Sequence, residues 1–289
     1  MSRLYHYTSQ VGLLGILSSK SIWCTNALFL NDPTEFKHAI DHGKQMANQL
    51  YEDDYDEIFG WQLRHKLEST VADDLYVSSF SERPDLLSQW RGYCPGGNGY
   101  CLGFEREVIE DYCVENGMRL EKCLYSHDEQ LGAVAAIITA ALSEFPTIHI
   151  CREGFHGLAS KEKIDVMMKQ RAHLEGAGAQ QAKSIISTAC EMLVELAPRF
   201  KHQGFHEEAE WRIIANEPIS QILYRPGPSY VVPYISLDLL EHNKHALCEV
   251  IVGPNPNQDR AQKAAEIVLR AAGYDAGIVS SSCVPFNYW

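Results

Sequence analysis

Glu207-Glu208-Ala209-Glu210-Trp211-Arg212-Ile213-Ile214 is the stretch on which the fold turns. Read as a strand, it puts Glu208, Glu210 and Arg212 on one face and Ala209, Trp211 and Ile213 on the other. Downstream the chain stays rich in strand formers. Residues 230–235 read as a second strand, with Pro233 hinting at an edge or a bulge. Residues 248–252 read as a third, ended by Gly253-Pro254, and a helix over 257–272 leads to a closing strand over 277–280. Upstream the pattern changes: 128–144 and 160–199 are helical and poor in strand formers. Strands return nearer the start, at 4–7, 22–24, 75–80 and 100–104. Between them, Ser9 caps a short helix, and helices follow from Asn31-Asp32-Pro33-Thr34-Glu35 towards Leu50 and over 55–71. Asp32 as N-cap, Pro33 in the first turn and Glu35 three residues on form the helix start. Strands at both ends with helices between them predict an α+β fold with a mixed or split sheet. The expected organisation is a single domain over 1–289, with a helical insertion at about 127–200.

Composition narrows the function classes. The 289 residues are 45% hydrophobic and 22% charged, ordinary globular values. Lys+Arg is 25 against 38 Asp+Glu, a net charge of −13. A chain this acidic lacks the broad basic footprint that holds duplex nucleic acid non-specifically. No apolar run approaches the roughly 18–20 residues of a membrane helix, and the opening residues carry no signal-peptide pattern. The nine cysteines include no C-x-x-C pair, and most sit in apolar segments. They read as free buried thiols of a cytoplasmic protein. His38/His42 and His202/His206 are four apart, but neither pair has the H-E-x-x-H order, so no metal is expected.

Four segments concentrate polar and aromatic groups in strand-like settings. In Tyr5-His6-Tyr7-Thr8, His6 and Thr8 share one face of a strand, and Tyr5 and Tyr7 the other. Asn31 to Glu35 is explained by helix capping. Ser79-Phe80-Ser81 is followed by Ser88-Gln89-Trp90-Arg91-Gly92-Tyr93, where Trp90 and Tyr93, three apart, would share a helix face. The glycines of Cys94-Pro95-Gly96-Gly97-Asn98-Gly99 lack the Lys-Ser or Lys-Thr of a phosphate loop, and read as a hairpin connection. The fourth segment is Glu208 to Arg212. Two carboxylates on one face are unfavourable without a partner or a function. The pattern fits a solvated edge, or a site carboxylate tuned by a second carboxylate and an arginine.

Seven short motifs occur in order: Tyr5-His6-Tyr7-Thr8, Asn31-Asp32-Pro33-x-Glu35, Gln89-Trp90-x-x-Tyr93, Gly99-x-x-Leu102-Gly103-Phe104, Glu208-x-Glu210-Trp211-Arg212, Pro233-Tyr234 and Val252-Gly253-Pro254. Together they resemble a widespread bacterial domain family of unknown function, from Leu4 to about Pro285. More distantly, a His on the first strand, a Ser-x-Ser strand and a late Glu-x-Glu strand are similar to the layout of the ADP-ribosyltransferase fold. That resemblance implies cleavage of NAD at the nicotinamide–ribose bond and transfer to a macromolecular acceptor, protein or nucleic acid. A toxin or phage-defence setting suits such an enzyme. By position it implies His6 on a ribose hydroxyl or the nicotinamide amide, and Glu210 on the reacting ribose 2′-OH. Glu208 would act on or orient the acceptor. Thr8, Ser79, Ser81 and Arg212 would support the cofactor, and Tyr7, Trp90 or Tyr93 would stack on the nicotinamide ring.

The chemistry is coherent, because a carboxylate stabilises the oxocarbenium-like charge that builds as nicotinamide leaves. Two other classes use the same residues. One is a non-catalytic nucleotide- or partner-binding module. The other is a metal-dependent hydrolase or nuclease built on Glu208, Glu210 and Asp32. For the enzyme readings, Glu210→Gln is expected to remove activity while leaving the thermal midpoint nearly unchanged.

Overall fold

A computed structural model describes residues 2–30, 34–70, 74–94, 96–147, 150–216, 222–227 and 229–285. The capping residues Asn31, Asp32 and Pro33, and the side chains of Thr34 and Glu35, lie outside this set. Among the described residues the strands are β1 Arg3–Ser9, β2 Ile22–Asn26, β3 Leu75–Ser81, β4 Gly99–Glu105, β5 Arg119–Lys122, β6 Glu210–Asn216, β7 Leu223–Pro226, β8 Val231–Leu237, β9 Leu247–Val252 and β10 Val279–Ser281. The helices are α1 Gln10–Ser19, α2 Thr34–Tyr51, α3 Glu57–Glu68, α4 Leu87–Tyr93, α5 Arg106–Glu115, α6 His127–Glu144, α7 Arg152–His156, α8 Ser160–Glu175, α9 Ala179–Leu196, α10 Leu239–His242 and α11 Gln258–Ala271. The class is α+β. Two compact units share these elements. Met1–Asn31, Asp73–Cys123 and Lys201–Trp289 form one; Asp32–Ala72 and Leu124–Phe200 form the other.

The described strands all belong to the first unit. Their order is β10-β9-β4-β1-β3-β2-β8-β7, with β6 on β3 and β5 on β6. Only β10 and β9 run parallel among these pairs. The decisive feature is where β1 meets β3. β1 pairs β4 along its whole length, from Arg3↔Glu105 to Ser9↔Gly99. β3 pairs β6 along its whole length, from Leu75↔Asn216 to Ser81↔Glu210. Between β1 and β3 the one register pair is Tyr5↔Ser81. In a continued ladder Tyr7 would face Ser79. Instead His6 Nδ1 takes the Ser79 carbonyl at 3.0 Å, so a side chain replaces a strand partner and the sheet parts there.

Alternation then assigns the faces. Leu4, Phe80, Leu102, Phe104, Ile213 and Val250 point into the main core, where Leu13 and Leu17 of α1, Ile109 of α5 and Leu269 of α11 cover them. Tyr5, Tyr7, Cys101 and Ile251 point the other way, into a small cluster with Trp90 and Cys94. The close fit of that cluster explains Val252-Gly253-Pro254. A Cβ on Gly253 would stand 2.9 Å from both the Gly99 oxygen and the Trp90 ring, too close for any larger residue. Ser9 caps α1 by accepting from the Gly12 amide at 3.2 Å. Pro233 faces Tyr224 of β7 and lies just past the last β2 pair, Thr25↔Tyr234, at the end of the β2–β8 ladder.

The second unit is helical. Ala182, Ile186, Ala189, Cys190, Leu193 and Leu196 make a stripe along α9 at helical spacing. They pack with Ala39, Ile40 and Ala47 of α2, Phe59, Leu63 and Leu67 of α3, and Val134 and Ile138 of α6. A reciprocal Ser126–Glu129 capping box starts α6. The helical unit thus draws on residues 32–72 as well as on the later block. No helix among the described residues is long and apolar enough to cross a membrane. All nine cysteines are free thiols, six of them buried.

Candidate functional site

The parting of β1 from β3 opens a cavity of about 80 Å³, lined by Tyr5, His6, Tyr7, Ser79, Phe80, Ser81, Gln89, Tyr93, Glu208 and Glu210. That is several water-sized spheres, enough for one ring-sized group. Its floor comes from β1, β3 and β6, and one wall from α4.

Glu210 begins β6 opposite Ser81. It is 4% exposed and carries two cations: Arg212 Nε sits 2.7 Å from Oε1, and Lys201 Nζ contacts Oε2. Lys201 Nζ also lies 2.6 Å from Glu208 Oε2. Lys201, Glu208, Glu210 and Arg212 are all buried, and their formal charges cancel. Burial pushes the Glu210 carboxyl up, but Arg212 and Lys201 override it and hold its pKa at about 2. Burial lowers the Lys201 ammonium, but Glu210 more than offsets it, and the pKa is raised.

Glu208 does not reach the cavity by strand alternation, as the sequence pattern suggested. It ends a 3-10 turn over Gln203–Glu208, and Ala209 then takes the left-handed conformation at φ 43°, ψ 53°. A non-glycine residue there costs about 1–2 kcal/mol. The turn is held by Ser81 Oγ donating to the Glu208 carbonyl at 2.6 Å and by the Glu82 amide donating to the Ala209 carbonyl at 3.1 Å. Ala209→Gly is expected to keep or raise the midpoint of thermal unfolding, because glycine relieves the strain. Ala209→Val should lower stability by about 1–2 kcal/mol or more, as a branched side chain worsens it.

His6 is half-buried on β1. Burial lowers its pKa and keeps the ring neutral. With Nδ1–H donating to the Ser79 carbonyl, Nε2 is left as an acceptor. The Ser79 hydroxyl has no partner among the described residues. Tyr93 lines the cavity and is 39% exposed. Burial raises the pKa of its phenol to about 12, so it stays protonated.

Several sequence candidates are placed otherwise. Trp90 does not line the cavity. Gln89 and Tyr93, four apart, share the cavity face of α4, while Trp90 turns to the edge-to-face partner Tyr7 at 4.8 Å and donates from Nε1 to Asp85 at 2.7 Å. Tyr7 reaches the cavity, but its hydroxyl donates to the Arg83 carbonyl and accepts from the Leu86 amide. The Ser81 hydroxyl is committed to Glu208 and to the Arg83 amide. Thr8 packs on α1, where a Cβ on Gly12 would fall 1.9 Å from its Oγ1. Arg212 stands behind Glu210 and not on the cavity. Two groups were missed, Gln89 and Lys201. The signal for Lys201 was the need of two like charges for a partner, but its pairing depends on a turn that strand spacing does not reveal.

The charge states fix a pH dependence. Glu210 is depressed in the fold, so its stabilisation is complete above the ordinary value of 4.5 and is lost as pH falls towards about 2. Neutral His6 adds a loss in the same direction below its ordinary 6.5. The raised Lys201 loses its contribution only as pH rises beyond its ordinary 10.5. The thermal midpoint should therefore lie on a plateau between about pH 6.5 and 9, above which buried thiols such as Cys94 and Cys113, held protonated in the fold, ionise in the unfolded chain, and it should fall steeply below about 4.5. Unfolding scans across pH check this.

Among the described residues no group of three or more His, Cys, Asp or Glu gathers as a metal centre. Residues 89–213 match the family described as "Protein of unknown function (DUF2971)". This bears out the resemblance to an unknown-function family. Gln89-Trp90-x-x-Tyr93 and Glu208 to Arg212 lie inside the match, and Tyr5 to Thr8 and Val252 to Pro254 lie outside it. No curated protein and no solved structure matches the chain.

Proposed function

We propose that the protein is a NAD-dependent ADP-ribosyltransferase that modifies a macromolecular acceptor, protein or nucleic acid. One observation carries the reading: His6 of β1, Ser79 of β3, Glu208 of the 3-10 turn and Glu210 of β6 all line the cleft where β1 parts from β3. The residues fit the substrate's chemistry. A neutral His6 Nε2 accepts from a ribose hydroxyl. The Tyr93 ring gives a face to the cationic nicotinamide. Glu210 lines the same cavity, and its carboxylate is the acceptor for the ribose 2′-OH. As the C1′–N bond breaks, its electron pair leaves with nicotinamide, and the Glu210 carboxylate offsets the charge left on the ribose. The acceptor nucleophile then bonds C1′ and gives its proton to Glu208.

The neutralised cluster favours this over the metal-dependent hydrolase, since carboxylates already paired with Lys201 and Arg212 are poor ligands for a hard cation. The same neutralisation supports a second reading, a binding module that holds a nucleotide without cleaving it. Nicotinamide release from NAD separates the three. The transferase reading expects release that bacterial lysate increases and chelator leaves unchanged. Binding without release would move the assignment to the binding module. Loss of all activity in chelator would move it to the hydrolase.

A further inference from the structure

We infer that Gln89 is the specificity residue of this pocket and selects a ligand ending in a carboxamide over its carboxylate analogue. The inference rests on the NAD reading. Gln89 is 6% exposed, lines the cavity, and has no hydrogen-bond partner among the described residues. A buried primary amide carries two N–H donors and an acceptor oxygen, and leaving them unpaired is unfavourable. Its surroundings say what would pair it. Tyr93 lies one turn along the same face of α4, so a ring against Tyr93 brings its substituent towards Gln89. Glu208 and Glu210 line the same small space with their charges already balanced by Lys201 and Arg212, so the cluster offers a ligand carboxylate no net positive charge.

A carboxamide is self-complementary to Gln89: each amide donates one N–H to the other's oxygen. A carboxylate offers acceptors only, so the Gln89 oxygen would face another oxygen. The helix is well fixed for this task. Trp90 Nε1 donates to Asp85 Oδ1, and Asp85 is tied in turn to the Ser282 hydroxyl at 2.6 Å and the Cys283 amide at 2.8 Å. The recognising amide is thus pre-organised.

The test measures the affinities of NAD and of nicotinic acid adenine dinucleotide for the full chain by calorimetry, in wild type, Gln89→Met and Gln89→Asn. Met matches Gln in volume, so the variant should fold. Wild type should bind NAD at least about tenfold tighter than the acid. In Gln89→Met that ratio should fall to near one, while Gln89→Asn keeps part of it. A merely structural Gln89 would weaken both ligands alike and leave the ratio unchanged. Equal wild-type affinities, or an unchanged ratio in Gln89→Met, overturn the role of Gln89 and leave the NAD reading standing. If wild type binds neither dinucleotide, the NAD reading fails and this inference fails with it.

Discussion

Glu210→Gln should lower the free energy of unfolding by about 3–5 kcal/mol, the cost of removing one partner from a buried ion pair. The sequence pattern suggested a substitution that spares the thermal midpoint, but the environment of Glu210 reverses that expectation. The substitution takes a carboxylate away from buried Lys201 and Arg212, both of which contact Glu210. Lost activity in this variant would therefore not separate chemistry from unfolding. The double variant Lys201→Met/Glu210→Gln does, because Glu208 and Arg212 again balance. It should recover about 1–3 kcal/mol relative to the sum of the single effects, and it should still fail to release nicotinamide. Denaturant unfolding of wild type, both single variants and the double closes the cycle. Additive losses would show that Lys201 and Glu210 are not coupled, contrary to the contact between them.

His6→Ala should weaken NAD binding by about 10–100-fold. It removes the Nε2 acceptor and also the donor that holds the Ser79 carbonyl. A ligand hydroxyl left without its partner, and a cleft edge left free to close, both act against binding. His6→Asn separates the two roles. Its side-chain N–H can replace Nδ1–H on Ser79, but nothing replaces Nε2. Binding should stay weak in His6→Asn while the thermal midpoint returns most of the way to wild type. Affinity that recovers together with stability would make His6 a purely structural strut. Titration calorimetry with thermal scans on the same samples reads both.

The chemistry of the site was legible where it depended on local pattern. Strand alternation placed Glu210 and Arg212 on one face, and the S-x-S strand beside them is β3, paired to β6 along its length. The α+β class followed from strand formers at both ends of the chain. What could not be read depended on contacts between distant residues or on a single backbone angle. Lys201 reaches Glu208 and Glu210 through a 3-10 turn, and Ala209 breaks the alternation with a left-handed conformation that alanine rarely adopts. Spacing paired Trp90 with Tyr93, but the i,i+4 partner Gln89 faces the cleft and Trp90 packs on Tyr7. The opening of the cleft comes from one histidine taking a carbonyl that a strand would otherwise take, and no periodicity records that. Helices α2 and α3 were expected as elements, but a helix pattern does not say which core its apolar face joins. Both pack with α6 and α9.

The most direct measurement follows the ADP-ribose itself. NAD labelled in its adenylate phosphate is incubated with bacterial lysate and either wild type or Lys201→Met/Glu210→Gln. Wild type should make the label acid-insoluble, with at least one nicotinamide freed for each label incorporated, and the double variant should do neither. Intact NAD and fully soluble label with wild type, or equal incorporation by the double variant, would contradict a transferase centred on Glu210.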